Sequence, residues 1–289
     1  MVAQGRRYNL HLAPKKSSMS IYDPAIALEF FRSAGKPAAV AQGETIFTEK
    51  QNAIPLFRKN RIFLLLKGEV ELLAADKPIA VVRPGEVFGE LAVITHAPRS
   101  ASAVAKTACR VIALDDKTFE AALRAKPAFA LMLMSIMIRR LRETIARLAQ
   151  GKALSRDDAW KEAAAFDPGQ LSDLARGLAD DPPVSYRAGA SILTQGQKGL
   201  RMYAVLEGRV AISIEGRVVE KLGPGGVFGE AALINETPRL ASAVAEADCS
   251  LLPISRKAFF ELIKLSPQFA DTLLTSLAQR LKFLTARLE

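Results

Sequence analysis

The stretch FGELAVITHAPRSASAVA, residues 88–105, occurs a second time in the chain as FGEAALINETPRLASAVA, residues 228–245. The two stretches agree at 12 of 18 positions and lie 228 − 88 = 140 residues apart. The same offset relates Arg61 to Arg201. A match of this length at a fixed offset indicates a tandem duplication, so the fold is that of one unit built twice.

Each copy begins with short apolar or alternating runs separated by glycine, and these runs predict strands. They cover 62–66, 70–73 and 79–82 in the first copy and 202–206, 210–214 and 218–222 in the second. Their close spacing favours an antiparallel jelly roll. Each copy ends in helical patterns at 115–125 and 129–148, and at 255–265 and 269–288. The predicted fold class is mainly β with flanking α-helices, arranged as two tandem jelly-roll β-barrels.

The chain has 289 residues, which is enough for two domains. The repeat predicts a first domain at 22–150 and a second at 188–289. The segment between them, 151–187, is richer in charge. Turn sequences at 167–169 and 180–183 enclose a predicted short helix at 170–179, so this segment is expected to be a helical linker.

Composition excludes several classes of protein. Two cysteines cannot form a disulfide framework, and two histidines are too few for most imidazole metal sites, so we expect no metal. The longest strongly apolar stretch, 127–138, is too short to span a bilayer, and the N-terminus lacks a secretory signal. We therefore expect a cytoplasmic protein without a membrane span.

The net charge of +10 lies entirely in the first half of the chain. Residues 1–150 hold 23 basic and 13 acidic side chains, whereas residues 151–289 hold 17 of each. This asymmetry is compatible with an anionic partner near the first domain, or simply with solubility.

The repeated stretch has the chemistry of a site for a cyclic phosphodiester on a ribose. Gly89 lets a phosphate approach the backbone, and N–H groups at the start of the following helix point at the anion. The planar guanidinium of Arg99 supplies the opposite charge. Glu90 can accept a hydrogen bond from a ribose 2′-hydroxyl, which a generic phosphate site would not need. Gly229, Glu230 and Arg239 repeat the set.

With these motifs, the sequence resembles the cyclic nucleotide-binding domain family from about Tyr22 to its end. Both stretches match the spacing of the family's motif without a gap, and the tandem arrangement is similar to that of protein kinase A regulatory subunits or bacterial relatives, without a helix-turn-helix. The resemblance implies that the glutamates contact ribose and the arginines contact the cyclic phosphate. The implied site residues are Gly89, Glu90, Leu91, Ala92, Arg99 and Ser100 in the first domain and Gly229, Glu230, Ala231, Ala232, Arg239 and Leu240 in the second.

The residue after each arginine differs between the copies and bears on the choice of ligand. The resemblance implies cAMP, with cGMP as the alternative. Ser100 could bond a phosphate oxygen or, as the family suggests for hydroxyl residues here, a guanine amino group, whereas Leu240 offers apolar contact alone. The first site is therefore predicted to accept cGMP better than the second, unless Ser100 merely faces phosphate or solvent.

Two aromatic residues are candidates for a lid over the nucleotide base. Trp160 lies in the segment between the domains, and Phe283 lies on the last predicted helix. Either residue caps a base or belongs to the core. The apolar face with Met132, Met134 and Met137 packs inside the chain or forms the seam of a homodimer.

These observations predict a receptor for a cyclic nucleotide that is not an enzyme, carries no cofactor and regulates a partner protein. Ligand binding would change the domain arrangement, with coupling through 151–187. Two alternatives stay open. One is a nucleotide-independent scaffold whose Glu–Arg sets are internal ion pairs. The other is a DNA-associated transcription regulator, although specific DNA binding is disfavoured because no helix-turn-helix pattern follows Leu252.

Overall fold

The computed structural model describes residues 24–50, 60–150, 160–161, 164–178 and 181–287, with the backbone alone at 24, 124, 149–150 and 160–161. The helices are α1 Pro24–Ala34, α2 Glu90–Ile94, α3 Asp116–Ala125, α4 Pro127–Gln150, α5 Pro168–Gly177, α6 Glu230–Asn235, α7 Arg256–Leu265 and α8 Pro267–Thr285.

The two domains contain strands in the same order and arrangement. Those of the first domain are β1 Lys36–Val40, β2 Thr45–Phe47, β3 Arg61–Lys67, β4 Val70–Ala74, β5 Lys77–Val82, β6 Val87–Phe88, β7 Ser102–Ala105 and β8 Cys109–Asp115. Those that follow are β9 Trp160–Lys161, β10 Val184–Tyr186, β11 Ser191–Leu193, β12 Arg201–Glu207, β13 Val210–Ile214, β14 Arg217–Leu222, β15 Val227–Phe228, β16 Ser242–Ala245 and β17 Cys249–Ser255.

Each domain is a pair of antiparallel sheets. In the first domain the strand orders are β1-β8-β3-β6 and β2-β7-β4-β5, and in the second they are β10-β17-β12-β15 and β11-β16-β13-β14. Strand β9 adds to β14 as a parallel neighbour. Burial alternates along β7 and β16, so one face of each closes over an apolar core. The predicted class, mainly β with flanking helices in two tandem jelly rolls, is confirmed.

The helices after each barrel begin where the sequence predicts. The Asp115 carboxylate accepts a hydrogen bond from the Thr118 backbone N–H at the start of α3, and Ser255 does the same for α7. Among the residues that the structure describes, no single helix is long and apolar enough to cross a membrane. Together, 116–123 and 127–148 meet the criteria of length and composition, but a bend of 109° separates them.

The two domains share a core along α4. Met132, Met134 and Met137 are fully buried in a cluster that also holds Leu273 and Leu277 of α8. The apolar face of α4 is thus covered inside the chain, the first of the two arrangements that the sequence allowed. Farther along, Leu141 and Leu148 join Leu281 and its neighbours in a second cluster with residues of the second barrel. Helix α4 therefore contacts both domains.

Candidate functional site

A tight turn begins each candidate site. Gly89 precedes α2 with φ 79° and Gly229 precedes α6 with φ 88°, both in the left-handed region that favours glycine. A Cβ atom at Gly89 would also lie 2.9 Å from Nη1 of Arg99, and one at Gly229 would lie 2.8 Å from Nη1 of Arg239. The turn needs glycine for both its conformation and the space that it leaves to the arginine.

The two arginines of the repeated stretches are buried and held by backbone carbonyls. Arg99 donates from Nη1 to the Gly89 oxygen at 2.6 Å and from Nη2 to the Arg61 oxygen at 2.8 Å. Arg239 makes the same two bonds, to the oxygens of Gly229 at 2.7 Å and Arg201 at 2.6 Å. The duplicated sequence therefore fixes both guanidinium groups in one orientation.

The surroundings of the two guanidinium groups differ on one side. The Arg99 guanidinium lies 4.2 Å from the centre of the Phe47 ring, a cation–π contact. In the second domain Leu193 takes the place of this phenylalanine near Gly229. Phe47 was not among the predicted site residues, because the offset between the copies changes to 146 in this strand.

Burial of these arginines leaves positive charge with little solvent to stabilise it. Desolvation lowers the pKa of Arg99 to about 10, against an opposing effect of nearby Glu90. Desolvation also lowers the pKa of Arg239. Both groups are still cations at neutral pH. Both guanidinium groups donate to neutral backbone carbonyls, so an anion at either site would supply a countercharge.

The two glutamates pair with arginines outside the repeated stretches. Glu90 is 1% exposed, and its Oε1 accepts a hydrogen bond from Nη1 of Arg140 at 2.5 Å. Glu230 is 4% exposed and accepts from Nη1 of Arg280 at 2.8 Å. The scaffold alternative expected ion pairs inside each Glu–Arg set, but the structure pairs each glutamate with the long helix of its domain instead. Neither Arg140 nor Arg280 was a predicted site residue, although the offset of 140 relates them.

One carboxylate oxygen at the first site has a vacant accepting position. In the described part of the chain, Glu90 Oε2 is buried and has no hydrogen-bond partner. Leaving a buried neutral acceptor unpaired is unfavourable by about 1–3 kcal/mol, and the penalty is larger for a charged group such as a carboxylate. A ligand hydroxyl could donate to this atom, as the sequence analysis expected from a ribose.

A cavity of about 720 Å³, including its open mouth, lies at the second site. The polar part of its lining contains Gly229, Glu230, Arg239 and Arg280. Its volume lies within the range of about 300–1,000 Å³ that is usual for small-molecule sites. Ala231, Ala232 and Leu240, all predicted site residues, also line it.

The apolar walls of this cavity come from both domains. Phe283 of α8 lines it, as its suggested role near the base requires, and also packs under the Arg287 guanidinium at 3.6 Å. Leu141 and Ile145 of α4 line it from the first domain. This contribution was not predicted from the sequence, because no pattern in α4 indicates which barrel each of its faces contacts.

The remaining predicted residues are placed as follows. At the first site Ala92 is buried, whereas Leu91 and Ser100 are half-buried. The backbone of Trp160, in β9, pairs with that of Glu220 in β14. The side chain of Trp160 lies outside the described part of the structure. Within those residues, no group of three or more His, Cys, Asp or Glu side chains could hold a metal ion.

Gly199 provides a direct test of the Arg239 orientation. A Cβ atom here would lie 2.1 Å from the Arg239 guanidinium. We expect Gly199→Ala to displace Arg239 and to weaken binding of a cyclic nucleotide at the second site by about tenfold or more, since charge-assisted hydrogen bonds depend on geometry. Gly223→Ala is the control, because nothing lies within 4 Å of its Cβ position. Calorimetric titration with cAMP compares the two variants, and equal affinities would contradict this placement of Arg239.

Comparison with known proteins gives concordant results. The family model described as "Cyclic nucleotide-binding domain" matches residues 38–126 and 183–266. A cAMP-dependent protein kinase regulatory subunit from Schizosaccharomyces pombe is 31% identical over 77% of this chain and 49% of the relative. Another, from Eremothecium gossypii, is 28% identical over 70% of this chain and 39% of the relative. The chain thus spans less than half the length of these two relatives.

Among solved structures, the regulatory domain of Toxoplasma gondii PKA in complex with cAMP is similar to this chain. The identity is 25%, with 84% of this chain and 86% of that chain covered and a TM-score of 0.30.

Proposed function

Because this chain belongs to the cyclic nucleotide-binding domain family, we propose that it is a non-catalytic receptor that binds a cyclic nucleotide in each of its two domains. The observation that carries this proposal is the pair of buried arginines, Arg99 and Arg239, each held by two backbone carbonyls beside a buried glutamate. A cyclic phosphate would neutralise each arginine, and the ribose 2′-hydroxyl would donate to the glutamate.

The proposed ligand is cAMP. The names of the curated relatives, regulatory subunits of cAMP-dependent protein kinase, support this choice and support a protein kinase as the class of partner that the receptor regulates. The apolar walls around Leu240 and Phe283 suit a purine base. Because Ser100 offers a hydroxyl group where the second site has Leu240, the prediction that cGMP binds better at the first site than at the second also stands. The domain boundaries 22–150, 151–187 and 188–289 and the cytoplasmic location also stay predictions.

Thermal unfolding with and without ligand tests the ligand class. A ligand that binds only the folded state raises the free energy of unfolding by about 2.7 kcal/mol at one hundred times its dissociation constant. We expect cAMP to raise the melting temperature in a saturable manner and equal concentrations of inorganic phosphate to leave it unchanged. No shift with either cAMP or cGMP would contradict the proposal and favour the scaffold.

We further propose that the two sites are coupled through α4. Arg140 of this helix donates to Glu90 in the first domain. Arg142 donates to the Pro238 carbonyl at 2.9 Å and to the Thr237 hydroxyl in the second domain. Two residues apart on a helix correspond to about 200° of rotation, so these side chains leave α4 on nearly opposite faces. A ligand that changes the Glu90–Arg140 contact would thus act on the residue that precedes Arg239.

Arg142→Met tests this coupling. We expect the affinity of the second site for cAMP to differ by about 5- to 150-fold between the intact protein and Arg99→Ala, in which the first site stays empty. Adding Arg142→Met should reduce that difference, because the link to the second domain is lost. Arg147→Met, which removes an exposed arginine from the same helix, is the control. Calorimetry measures all of these affinities, and an unchanged difference in Arg142→Met would refute coupling by this contact.

A further inference from the structure

The two sites differ in one buried charge. Glu220 of β14 corresponds to Ala80 of β5 at the offset of 140 residues. Both residues occupy the same register, since Glu220 pairs with Ile212 and Ala80 pairs with Leu72. Glu220 is 7% exposed and lines the cavity of the second site. The two copies thus differ at this position, where the second site has a carboxylate and the first has a methyl group.

This carboxylate binds the arginine that holds Glu230. Nε of Arg280 lies 3.0 Å from Oε1 and 3.2 Å from Oε2 of Glu220, while Nη1 of the same arginine donates to Glu230. Arg280 therefore donates hydrogen bonds to two carboxylates. Its counterpart Arg140 donates to Glu90 and to the Val87 carbonyl.

The sites consequently carry different net charge. Glu90, Arg99 and Arg140 sum to +1 at the first site. At the second site Glu220 joins the equivalent three residues, which brings the sum to zero. The neighbouring Arg139–Glu86 pair of the first site adds no net charge. A cyclic phosphodiester is a monoanion, and the interaction between charges strengthens as solvent is excluded, so the first site attracts this ligand more strongly.

We infer that Glu220 lowers the affinity of the second site for cyclic nucleotides, so that the first site fills at lower ligand concentration. This inference rests on the proposed function, because it concerns the same ligand at the same sites. Glu220 thereby acts as a residue that sets affinity through charge. A purely structural role, in which Glu220 only anchors α8 through Arg280, would change stability and leave affinity unaltered.

Charge removal at constant shape separates these roles. In the Arg99→Ala background, where the second site alone should bind, we expect Glu220→Gln to lower the dissociation constant for cAMP by about three- to tenfold. The gain should shrink at high salt, because ions screen the interaction. Conversely, Ala80→Glu in the Arg239→Ala background should weaken the first site. Glu207→Gln, which removes an exposed charge from β12, should change neither value.

Calorimetric titration of the 289-residue variants, with their thermal unfolding recorded in parallel, distinguishes these outcomes. An unchanged dissociation constant in Glu220→Gln, with or without a lower melting temperature, would overturn the inference while leaving the receptor function intact. Failure of the parent protein to bind cAMP or cGMP at all would overturn the proposed function, and the inference with it. If Ala80→Glu prevents folding, Glu220→Gln and its salt dependence are sufficient.

Discussion

Arg239→Ala is expected to weaken cAMP binding strongly at the second site and to leave the first site occupied. In the described part of this site, the Arg239 guanidinium donates to the carbonyls of Gly229 and Arg201, whereas Arg280 donates to two carboxylates. Truncating one member of a buried, hydrogen-bonded charge pair weakens binding by about 2–5 kcal/mol, which is roughly 30- to 5,000-fold in affinity. Arg99→Ala should have the same effect on the first site. Calorimetry should show one remaining binding event in each variant and none in the double variant.

Arg239→Lys is the informative control for this result. Lysine keeps the charge but has no planar fork to bond the carbonyls of Gly229 and Arg201 at once. We expect an affinity between those of the wild type and Arg239→Ala. If both sites still filled with unchanged affinity in Arg99→Ala and Arg239→Ala, the arginines would not be the phosphate-binding groups.

Arg280→Ala is expected to lower the free energy of unfolding more than any other single substitution in the two sites. It removes the cation shared by Glu220 and Glu230, which are 7% and 4% exposed. Removing one member of a buried ion pair destabilises a protein by about 3–5 kcal/mol, since the remaining charge is left uncompensated. Arg140→Ala should destabilise less, because only Glu90 loses a charged partner. Urea unfolding measures both values.

A double variant distinguishes charge imbalance from lost packing in α8. Adding Glu220→Ala to Arg280→Ala removes one of the two unpaired carboxylates, so it should restore part of the lost stability. Additivity of the two single effects, or a stability of Arg280→Ala within about 0.5 kcal/mol of the wild type, would contradict the role given to this buried cluster.

Features that repeat at a single offset could be predicted from the sequence. The stretches at 88–105 and 228–245 predicted the turn, the glutamate and the arginine of each site, and the strands and helices lie close to their predicted ranges. The duplication also contained the pair Arg140 and Arg280. The sequence did not show that these arginines contact the glutamates, because each lies 50 positions after its glutamate. The contact forms only when the long helix docks on the barrel.

Two features depend on differences between the copies and on tertiary packing. Glu220 replaces the alanine of the first copy, and a search for similarity passes over such a position. Helix α4 has an apolar pattern that predicts burial without indicating its neighbour, so the contribution of Leu141 to the second cavity required the structure. Coupling of the domains through the linker 151–187 stays a prediction, and the structure adds a contact with each domain from α4, through Arg140 and Arg142.

Calorimetric titration of the intact protein with cAMP tests most directly whether each domain is a nucleotide site. We expect two binding events per chain, with the tighter one lost in Arg99→Ala and the weaker one lost in Arg239→Ala. Absence of binding heat with both cAMP and cGMP, together with an unchanged melting temperature, would contradict the receptor function.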